Sequence, residues 1–180
     1  MSSALNTAAH TAHHLATTLL ATSQVKPGST IPAAPVKEAG ATSQATNLDF
    51  KGKNIIVGVP GAFTNTCNQH IPGFLENLEE FKKRGVSDIF IVAVNDVFVV
   101  KAWKEHLSSK FGTPVRFLAD DEGRFVSGLG LLFDATQNLG GPRSKRFVIV
   151  AQDDKVEHIA VEEDPSQVTV TDAKRILTLL

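Results

Sequence analysis

The residue types and spacing around the only cysteine of the chain could support nucleophilic chemistry. Cys67 follows an apolar run, residues 55–59, which breaks at Pro60-Gly61. A β-branched run predicts a buried strand, and Pro-Gly predicts the turn that ends it. Thr64 is a natural N-cap, so Cys67 is expected in the first turn of a helix. Unpaired backbone N–H groups and the helix dipole favour an anion there, so the thiol should lose its proton more easily.

A single cysteine also has a plainer explanation, because in an intracellular protein it is more often a small buried hydrophobe than a nucleophile. Cys67, however, lies at a strand-to-helix corner, where α/β folds place their sites. Its sequence neighbours are polar, so we expect its surroundings to differ from an apolar core. These neighbours are Asn65, Thr66, Asn68, Gln69 and His70. The hydroxyl of Thr64 is near enough to share a hydrogen bond with a bound substrate.

The composition is that of an ordinary globular protein, with 180 residues of which 42% are hydrophobic and 21% charged. This length indicates one domain with room for a full core. The net charge of −1 argues against nucleic acid or an anionic membrane as a partner bound by bulk electrostatics. One cysteine excludes an intrachain disulfide framework and fits a reducing compartment. No apolar run reaches the length that spans a bilayer.

The first 24 residues differ in composition from the rest of the chain. They are rich in Ala, Thr and Ser, include three histidines and hold no charged side chain. Organelle transit peptides normally carry arginines, which are missing here. We therefore predict an N-terminal extension, residues 1–24, that is flexible or weakly helical, followed by one domain, residues 25–180. A metal site at the histidines, or a helix packed on the domain or on a partner subunit, is the alternative.

After an irregular lead-in rich in Pro and Gly, apolar runs alternate with helical periodicity. The predicted strands cover residues 54–59, 89–94, 116–119, 146–151 and 156–161. The predicted helices run from Cys67 to about residue 84, from the Asn95-Asp96 cap, over residues 123–129, and from Thr171 as a cap. Residues 140–142 are predicted as a loop. This order predicts an α/β protein with a mixed central sheet flanked by helices on both faces, as a thioredoxin-like fold requires.

The motif Pro60-x-x-x-Thr64-x-x-Cys67 resembles the active-site motif of the peroxiredoxins. The fuller Val-Pro-Gly-Ala-Phe-Thr-x-x-Cys resembles that of the type II, or peroxiredoxin 5, group. Further blocks occur in the order of that family, and the resemblance covers roughly residues 25–180. The blocks are His70-Ile71-Pro72-Gly73-Phe74, Val94-Asn95-Asp96, Lys101-Ala102-Trp103, Phe117-Leu118-Ala119-Asp120 and Arg143-Ser144-Lys145-Arg146-Phe147. The resemblance implies the same thioredoxin-like fold that the order of elements predicts.

The resemblance implies a thiol-dependent peroxidase that reduces hydrogen peroxide and alkyl hydroperoxides. Cys67 would attack one peroxide oxygen and become a sulfenic acid. Thr64 and Arg146 would hold the peroxide and stabilise charge on its oxygens, and Pro60 would shape the pocket. Arg146 stands at the start of an apolar strand, where a charge is unexpected unless it faces a cleft, and the family pattern has its arginine at this position. Arg143 is the second choice and is expected to lie on the surface or to anchor a loop.

Regeneration of the sulfenic acid needs a second thiol, which this sequence does not contain. Some type II members have a resolving cysteine near the C-terminus, and the matching position here is Val170. The resemblance therefore implies a 1-Cys enzyme reduced from outside, by glutathione with glutaredoxin or by thioredoxin. The alternative function is a peroxide sensor or relay that passes its oxidation to a partner protein through a mixed disulfide.

One departure from the family pattern concerns His70, which follows Cys67 by three residues where relatives usually have four. This change puts a catalytic role for His70 in doubt, and we assign it a structural one. A Cys-x-x-His zinc half-site is the alternative for this pair, but the chain has no matching second pair. We expect neither a metal ion nor a cofactor.

Members of the family commonly form dimers through loops beside the active site, so a homodimer is expected. Phe63 and Phe98 lie next to the predicted turns, where such an interface could bury them. The lack of a convincing presequence and the C-terminal residues Thr178-Leu179-Leu180, in place of a peroxisomal tripeptide, favour a cytoplasmic location. A mitochondrial location is the second choice.

Overall fold

A seven-stranded mixed sheet lies at the centre of the fold. The computed structural model describes residues 24–39, 44–111 and 115–180, so the predicted N-terminal extension lies outside the described residues except for Gln24. The strands are β1 (Pro35–Glu38), β2 (Thr46–Asn47), β3 (Lys53–Val59), β4 (Val86–Ala93), β5 (Arg116–Ala119), β6 (Leu132–Asp134), β7 (Pro142–Ser144), β8 (Phe147–Gln152) and β9 (Lys155–Val161).

The strand order across the large sheet is β2-β1-β5-β4-β3-β8-β9. The neighbouring strands β5, β4 and β3 run parallel, whereas β1 pairs antiparallel with β5 and β8 antiparallel with β3. Strand β2 pairs antiparallel with β1, and β9 antiparallel with β8. Strands β6 and β7 form a separate two-stranded sheet. The predicted mixed central sheet is confirmed.

Helices pack against both faces of this sheet. Within the described residues they are α1 (Asn65–Glu76), α2 (Leu78–Lys83), α3 (Val97–Phe111), α4 (Arg124–Gly128), α5 (Thr136–Leu139) and α6 (Ala173–Leu177). Helix α1 contacts both α3 and α6. None of the helices in the described part of the chain is long and apolar enough to cross a membrane.

Two apolar clusters form the core, one on each face of the sheet. Successive side chains of a strand point to opposite faces, so neighbouring residues of β3 join different clusters. Ile55 belongs to the cluster that contains Cys67 of α1 and Trp103 of α3. Ile56 belongs to the cluster that contains Phe125 of α4. The predicted placement of helices on both faces is therefore confirmed.

Close packing of β3 against β8 sets the position of Arg146. Gly58 pairs with Phe147 in the antiparallel register, and a Cβ atom on Gly58 would lie 2.0 Å from Cε1 of the Phe147 ring. Only glycine therefore lets this ring lie across β3. Because β8 runs antiparallel to β3, Arg146 directly before it lies at the carboxyl end of β3, where the chain turns into α1.

The predicted cap of the last helix is wrong by one residue. Asp172, not Thr171, is the N-cap of α6, and its Oδ1 accepts hydrogen bonds from the N–H groups of Lys174 at 2.9 Å and Arg175 at 3.4 Å. The Thr171 hydroxyl instead donates to Oε1 of Glu162 at 2.8 Å. Both residue types cap helices well, and the partner Glu162 is nine positions away, so the local pattern could not choose between them.

The predicted loop over residues 140–142 is wrong at its last residue, because Pro142 begins β7. This strand pairs antiparallel with β6, and the short helix α5 lies between them. Elements of three or four residues are too short to show a period of 2 or 3.6, so the sequence gives no signal for them.

Candidate active site

The turn between β3 and α1 places Cys67 in the first turn of the helix, as the sequence predicts. Thr64 is the N-cap residue with extended backbone, and its carbonyl accepts a hydrogen bond from the N–H of Asn68 at 2.9 Å. The Thr64 hydroxyl does not bond to the helix; it donates to the carbonyl of Gly61 at 3.0 Å. The N-terminus of α1 therefore has no side-chain cap.

Cys67 is fully buried, with none of its surface exposed, and belongs to the larger apolar cluster. The expectation that its surroundings differ from an apolar core is correct only in part, because the side chain packs in this cluster while its sulfur contacts a charged group. Its polar neighbours Asn65 and Gln69 are exposed, because only one face of α1 turns toward the sheet. A polar sequence around a helical residue does not report what that residue itself contacts.

Arg146 is the charged group beside the Cys67 sulfur. Its side chain is 1% exposed, and Nη2 lies 3.5 Å from Sγ. The two residues are 79 positions apart in sequence, and the antiparallel pairing of β8 with β3 brings them together. An arginine this deeply buried must have its N–H groups hydrogen-bonded, since an unpaired charge is costly away from water.

His70 is the second polar partner of Arg146. Its Nδ1 lies 3.1 Å from Nη1 of Arg146, and its Nε2 lies 2.9 Å from the carbonyl oxygen of Thr171. A carbonyl only accepts hydrogen bonds, so Nε2 carries the proton and Nδ1 accepts from the guanidinium. Both ring nitrogens are thus occupied, which argues against a zinc half-site at Cys67 and His70.

The contact between His70 and Arg146 was not predicted from the sequence. The available signal was the spacing of His70, because residues three apart lie on the same face of a helix. That spacing puts His70 and Cys67 on the buried face of α1, where both contact the guanidinium of Arg146. The three-residue spacing from Cys67, which puts a catalytic role for His70 in doubt, also places His70 against Arg146.

Burial lowers the pKa of His70 from 6.5 to about 4, with the nearby Arg146 charge acting in the same direction. The unfolded chain therefore binds more protons than the folded one between about pH 6.5 and 4, and stability falls as the pH falls through that window. We expect His70 to contribute a loss of about 3 kcal/mol over the whole window. Urea unfolding of the wild type and of His70→Gln at several pH values measures this, and an equal pH dependence in both proteins would contradict it.

A cavity of about 190 Å³ opens beside Arg146. Its lining includes Pro60, Thr64, Phe133, Leu139, Arg146 and Pro165. The structure thus brings three of the predicted site residues to one cavity: Pro60 and Thr64 from the turn between β3 and α1, and Arg146 from the residue before β8. Cys67 lies behind this wall, and its sulfur contacts the guanidinium from the buried side.

Arg143, the second choice for the site cation, anchors a loop. Its Nη1 donates to the carbonyl of Val94 at 2.8 Å, and its Nη2 donates to the carbonyl of Leu139 at 2.9 Å. These bonds join the end of β4 to the end of α5, which helps to form the cavity wall. The expected role in anchoring a loop agrees with this geometry.

Two asparagines fix the segments around the site, and neither was singled out from the sequence for this role. Asn95 accepts a hydrogen bond from the N–H of Ala62 at 3.0 Å and so joins the turn before α1 to the end of β4. Asn68 accepts from Nε1 of Trp103 at 2.6 Å and so joins α1 to α3. These bonds hold the turn that carries Thr64 and Cys67 against its neighbours.

Comparisons with known proteins agree with this arrangement. The family model described as Redoxin matches residues 26–177. The chain is 46% identical over 132 residues to peroxiredoxin-2C of Oryza sativa subsp. japonica, covering 72% of this chain and 79% of the relative. It is 39% identical over 153 residues to peroxisomal membrane associated protein 20 of Schizosaccharomyces pombe, covering 85% of this chain and 97% of that protein.

Two solved structures that superpose on the chain are also described as peroxiredoxins. The crystal structure of peroxiredoxin 5 from Alvinella pompejana superposes with a TM-score of 0.75 at 32% identity, covering 86% of this chain and 96% of that one. Reduced Prx3 from Vibrio vulnificus, crystallised in complex with hydrogen peroxide, superposes with a TM-score of 0.77 at 31% identity, covering 87% and 96%. With the thioredoxin-like fold and the motif around its single cysteine, the chain belongs to the peroxiredoxin family, in the type II or peroxiredoxin 5-like group, and is a thiol-dependent peroxidase.

Proposed function

We propose that Cys67 reacts with the peroxide and that Arg146 makes this reaction fast. The observation that carries the proposal is the 3.5 Å contact between Nη2 of Arg146 and Sγ of Cys67, both of them buried at the N-terminus of α1. A cation and a helix N-terminus together favour the thiolate, which is the nucleophilic form of cysteine. Coulomb attraction between a guanidinium and a thiolate is stronger where water is excluded, which offsets part of the cost of burying the two charges.

The proposed reaction transfers one oxygen to sulfur. The Cys67 thiolate attacks the terminal oxygen of a hydroperoxide, a sulfur–oxygen bond forms and the oxygen–oxygen bond breaks. Sulfur loses two electrons and becomes a sulfenic acid, while the other oxygen leaves as alkoxide or hydroxide and takes up a proton to give alcohol or water. Hydrogen peroxide and alkyl hydroperoxides fit this scheme, and one structural neighbour is described as a complex with hydrogen peroxide.

The cavity beside Arg146 supports roles for two further residues. Thr64 lines the cavity, and its hydroxyl, which donates to the carbonyl of Gly61, still has lone pairs to accept a hydrogen bond from the peroxide O–H. Pro60 forms part of the wall and would limit access to the sulfenic acid. Apolar Phe133 and Leu139 line the same cavity and would accommodate the organic part of an alkyl hydroperoxide.

We propose that an external thiol, from glutathione with glutaredoxin or from thioredoxin, reduces the sulfenic acid. Residues 1–180 contain one cysteine, so the second thiol does not come from this sequence. The thiol attacks sulfur and releases water, and a second thiol then resolves the mixed disulfide. Turnover of peroxide with each reductant, followed as NADPH consumption through the matching reductase, tests this. Oxidation of Cys67 without turnover on either system would favour the relay, and a mixed disulfide with a particular protein would be its product.

A surface beside the active site supports the proposal of a homodimer. Phe98 in the first turn of α3 is 76% exposed, and Phe63 in the turn before α1 is 45% exposed. The bond between Asn95 and Ala62 joins the two turns that carry these rings, and the Phe63 ring lies 5.8 Å from that of His106 on α3. Phe63 also keeps a left-handed backbone, φ 62°, which a phenylalanine adopts at some cost.

Replacing Phe98 with glutamate is expected to weaken dimerisation. Burial of a phenylalanine side chain contributes about 2 kcal/mol, so the dimer dissociation constant should rise about 10- to 100-fold. Sedimentation equilibrium of the wild type and of Phe98→Glu measures the change. The control is Leu179→Glu, since Leu179 is exposed after α6. The same effect from both variants, or none from Phe98→Glu, would contradict this interface.

We propose a cytoplasmic location, with a mitochondrial one as the alternative. The single free cysteine suits a reducing compartment, where an external thiol is available to restore it. Fractionation of cells that produce the full chain with a tag after Leu180 distinguishes the compartments.

A further inference from the structure

Hydrogen bonds join all three nitrogens of the Arg146 guanidinium, directly or through His70, to residues 162–171, the segment between β9 and α6. Nε and Nη2 both donate to the carbonyl of Pro165, at 3.0 and 2.8 Å. Nη1 donates to His70, and the other ring nitrogen of His70 donates to the carbonyl of Thr171. The guanidinium is thus held at two points of the same segment, once directly and once through a histidine.

The buried carboxylate of Glu162, at the start of this segment, is hydrogen-bonded to residues at its end. Oε1 accepts hydrogen bonds from the N–H of Thr169 at 2.6 Å, and from the N–H and hydroxyl of Thr171 at 2.9 and 2.8 Å. Oε2 accepts from the hydroxyl of Thr169 at 2.7 Å. The N–H of Glu162 donates to the carbonyl of Arg146 at 3.0 Å, so the backbones of the two residues are also joined.

Four hydrogen bonds to one carboxylate are what a buried charge needs to stay ionised. Burial alone raises the pKa of Glu162, but the bonds from Thr169 and Thr171 outweigh burial, so that its pKa is lowered. The segment otherwise contains exposed residues such as Ser166 and Gln167, and it has no helix or strand of its own. Asp164 accepts hydrogen bonds from the N–H and hydroxyl of Ser166 and so orders the turn that carries the Pro165 carbonyl. The four bonds to Glu162 fix the other end of the segment, which carries the Thr171 carbonyl, against β9.

We propose that Glu162 is a positioning residue for the peroxidase reaction, which acts through the 162–171 segment to hold Arg146 against the Cys67 sulfur. This inference rests on the proposed role of Arg146. A loss of positioning by about 1 Å can slow a reaction on the order of a hundredfold, because transition-state stabilisation depends on geometry. Glu162 touches neither the cavity beside Arg146 nor the sulfur through any of the bonds described, so its effect is transmitted by the segment.

The direction in which the pH midpoint of Cys67 alkylation moves distinguishes a positioning role of Glu162 from an effect of its charge alone. Glu162 is negative, and a negative charge near Cys67 disfavours the thiolate through space. Removal of the charge alone would therefore make Cys67 easier to deprotonate. Release of the segment would loosen Arg146 and make Cys67 harder to deprotonate. The pH midpoint of Cys67 alkylation by iodoacetamide thus moves in opposite directions for the two explanations.

The test compares Glu162→Gln, Glu162→Ala and the control Glu157→Ala. Glutamine keeps the shape and can retain most of the bonds, because its amide oxygen accepts from the same donors and the Thr169 hydroxyl can reverse its role. Alanine removes the carboxylate and releases the segment. Glu157 is an exposed glutamate on β9. Each protein is oxidised with hydrogen peroxide in single turnover and alkylated at a series of pH values.

We expect Glu162→Ala to slow oxidation at least about tenfold and to raise the alkylation midpoint. Glu162→Gln should be oxidised at close to the wild-type rate, with an alkylation midpoint at or below that of the wild type, and Glu157→Ala should match the wild type in both properties. Equal slowing in Glu162→Gln and Glu162→Ala, or no change in a folded Glu162→Ala, would overturn the proposal. If wild-type Cys67 reacts slowly with peroxide, the proposed function fails, while the alkylation midpoint still tests the positioning of Arg146.

A second variant covers the case in which Glu162→Ala does not fold. The double substitution Thr169→Val with Thr171→Val removes the two hydroxyl donors, but it keeps the glutamate charge, both N–H donors and the side-chain volumes. We expect slower oxidation by about three- to tenfold and an alkylation midpoint above that of the wild type. Wild-type values for this variant, with circular dichroism showing the native fold, would overturn the proposal.

Discussion

Replacing Arg146 with glutamine is expected to slow oxidation of Cys67 by hydrogen peroxide at least about a hundredfold. The substitution removes the only cation that contacts the sulfur within the described part of the chain, and with it the donors that would meet the developing charge on the peroxide oxygens. Stopped-flow oxidation of the reduced protein measures the effect. A rate equal to that of the wild type would contradict the role of Arg146.

Arg146→Lys separates the charge from the geometry of the guanidinium. Lysine keeps the positive charge, but it lacks the planar fork that donates to Pro165 and His70 while Nη2 faces the sulfur. We expect it to recover part of the rate and to remain about tenfold slower than the wild type. The control is Arg124→Gln, which removes a surface arginine paired with Glu122 and should leave the rate unchanged.

Replacing Cys67 with serine is expected to abolish peroxide reduction, the largest effect of any single change. The serine hydroxyl is not ionised at neutral pH and does not form the sulfur–oxygen bond on which the scheme depends. The fold should be retained, because the two side chains are similar in size and Arg146 can donate to the new hydroxyl. Peroxide consumption with the complete reductant system measures the loss, and residual turnover above that of the buffer would show that another group reacts.

The part of the site that could be predicted from the sequence lies close together along the chain. A β-branched run, a Pro-Gly turn and a capping threonine within 13 residues determine the strand-to-helix corner, so local rules alone predict Cys67 in the first turn of α1. Arg146 was inferred from its position before an apolar strand together with the family pattern. Its burial against the sulfur agrees with that inference.

What could not be predicted depends on contacts between distant residues. The bond between His70 and Arg146 joins positions 76 apart, and the bonds from Thr169 and Thr171 to Glu162 form inside a segment with no periodic pattern. Burial of Cys67 was missed for a related reason, since its polar neighbours lie on the outer face of α1. Asp172 caps α6 in place of Thr171, whose hydroxyl donates to Glu162 instead. A rule based on neighbouring residues cannot predict this, because Glu162 is nine positions away.

The central claim, that Arg146 activates Cys67 toward peroxide, is tested most directly by single-turnover oxidation followed through the fluorescence of Trp103. This is the only tryptophan in the sequence, and its Nε1 donates to Asn68, the residue next to Cys67. Mass spectrometry of the product checks that the protein has gained one oxygen atom. We predict a fast phase that is linear in peroxide concentration, slowed in Arg146→Gln and absent in Cys67→Ser. A rate no higher than that of a free thiol, unchanged in Arg146→Gln, would contradict the account.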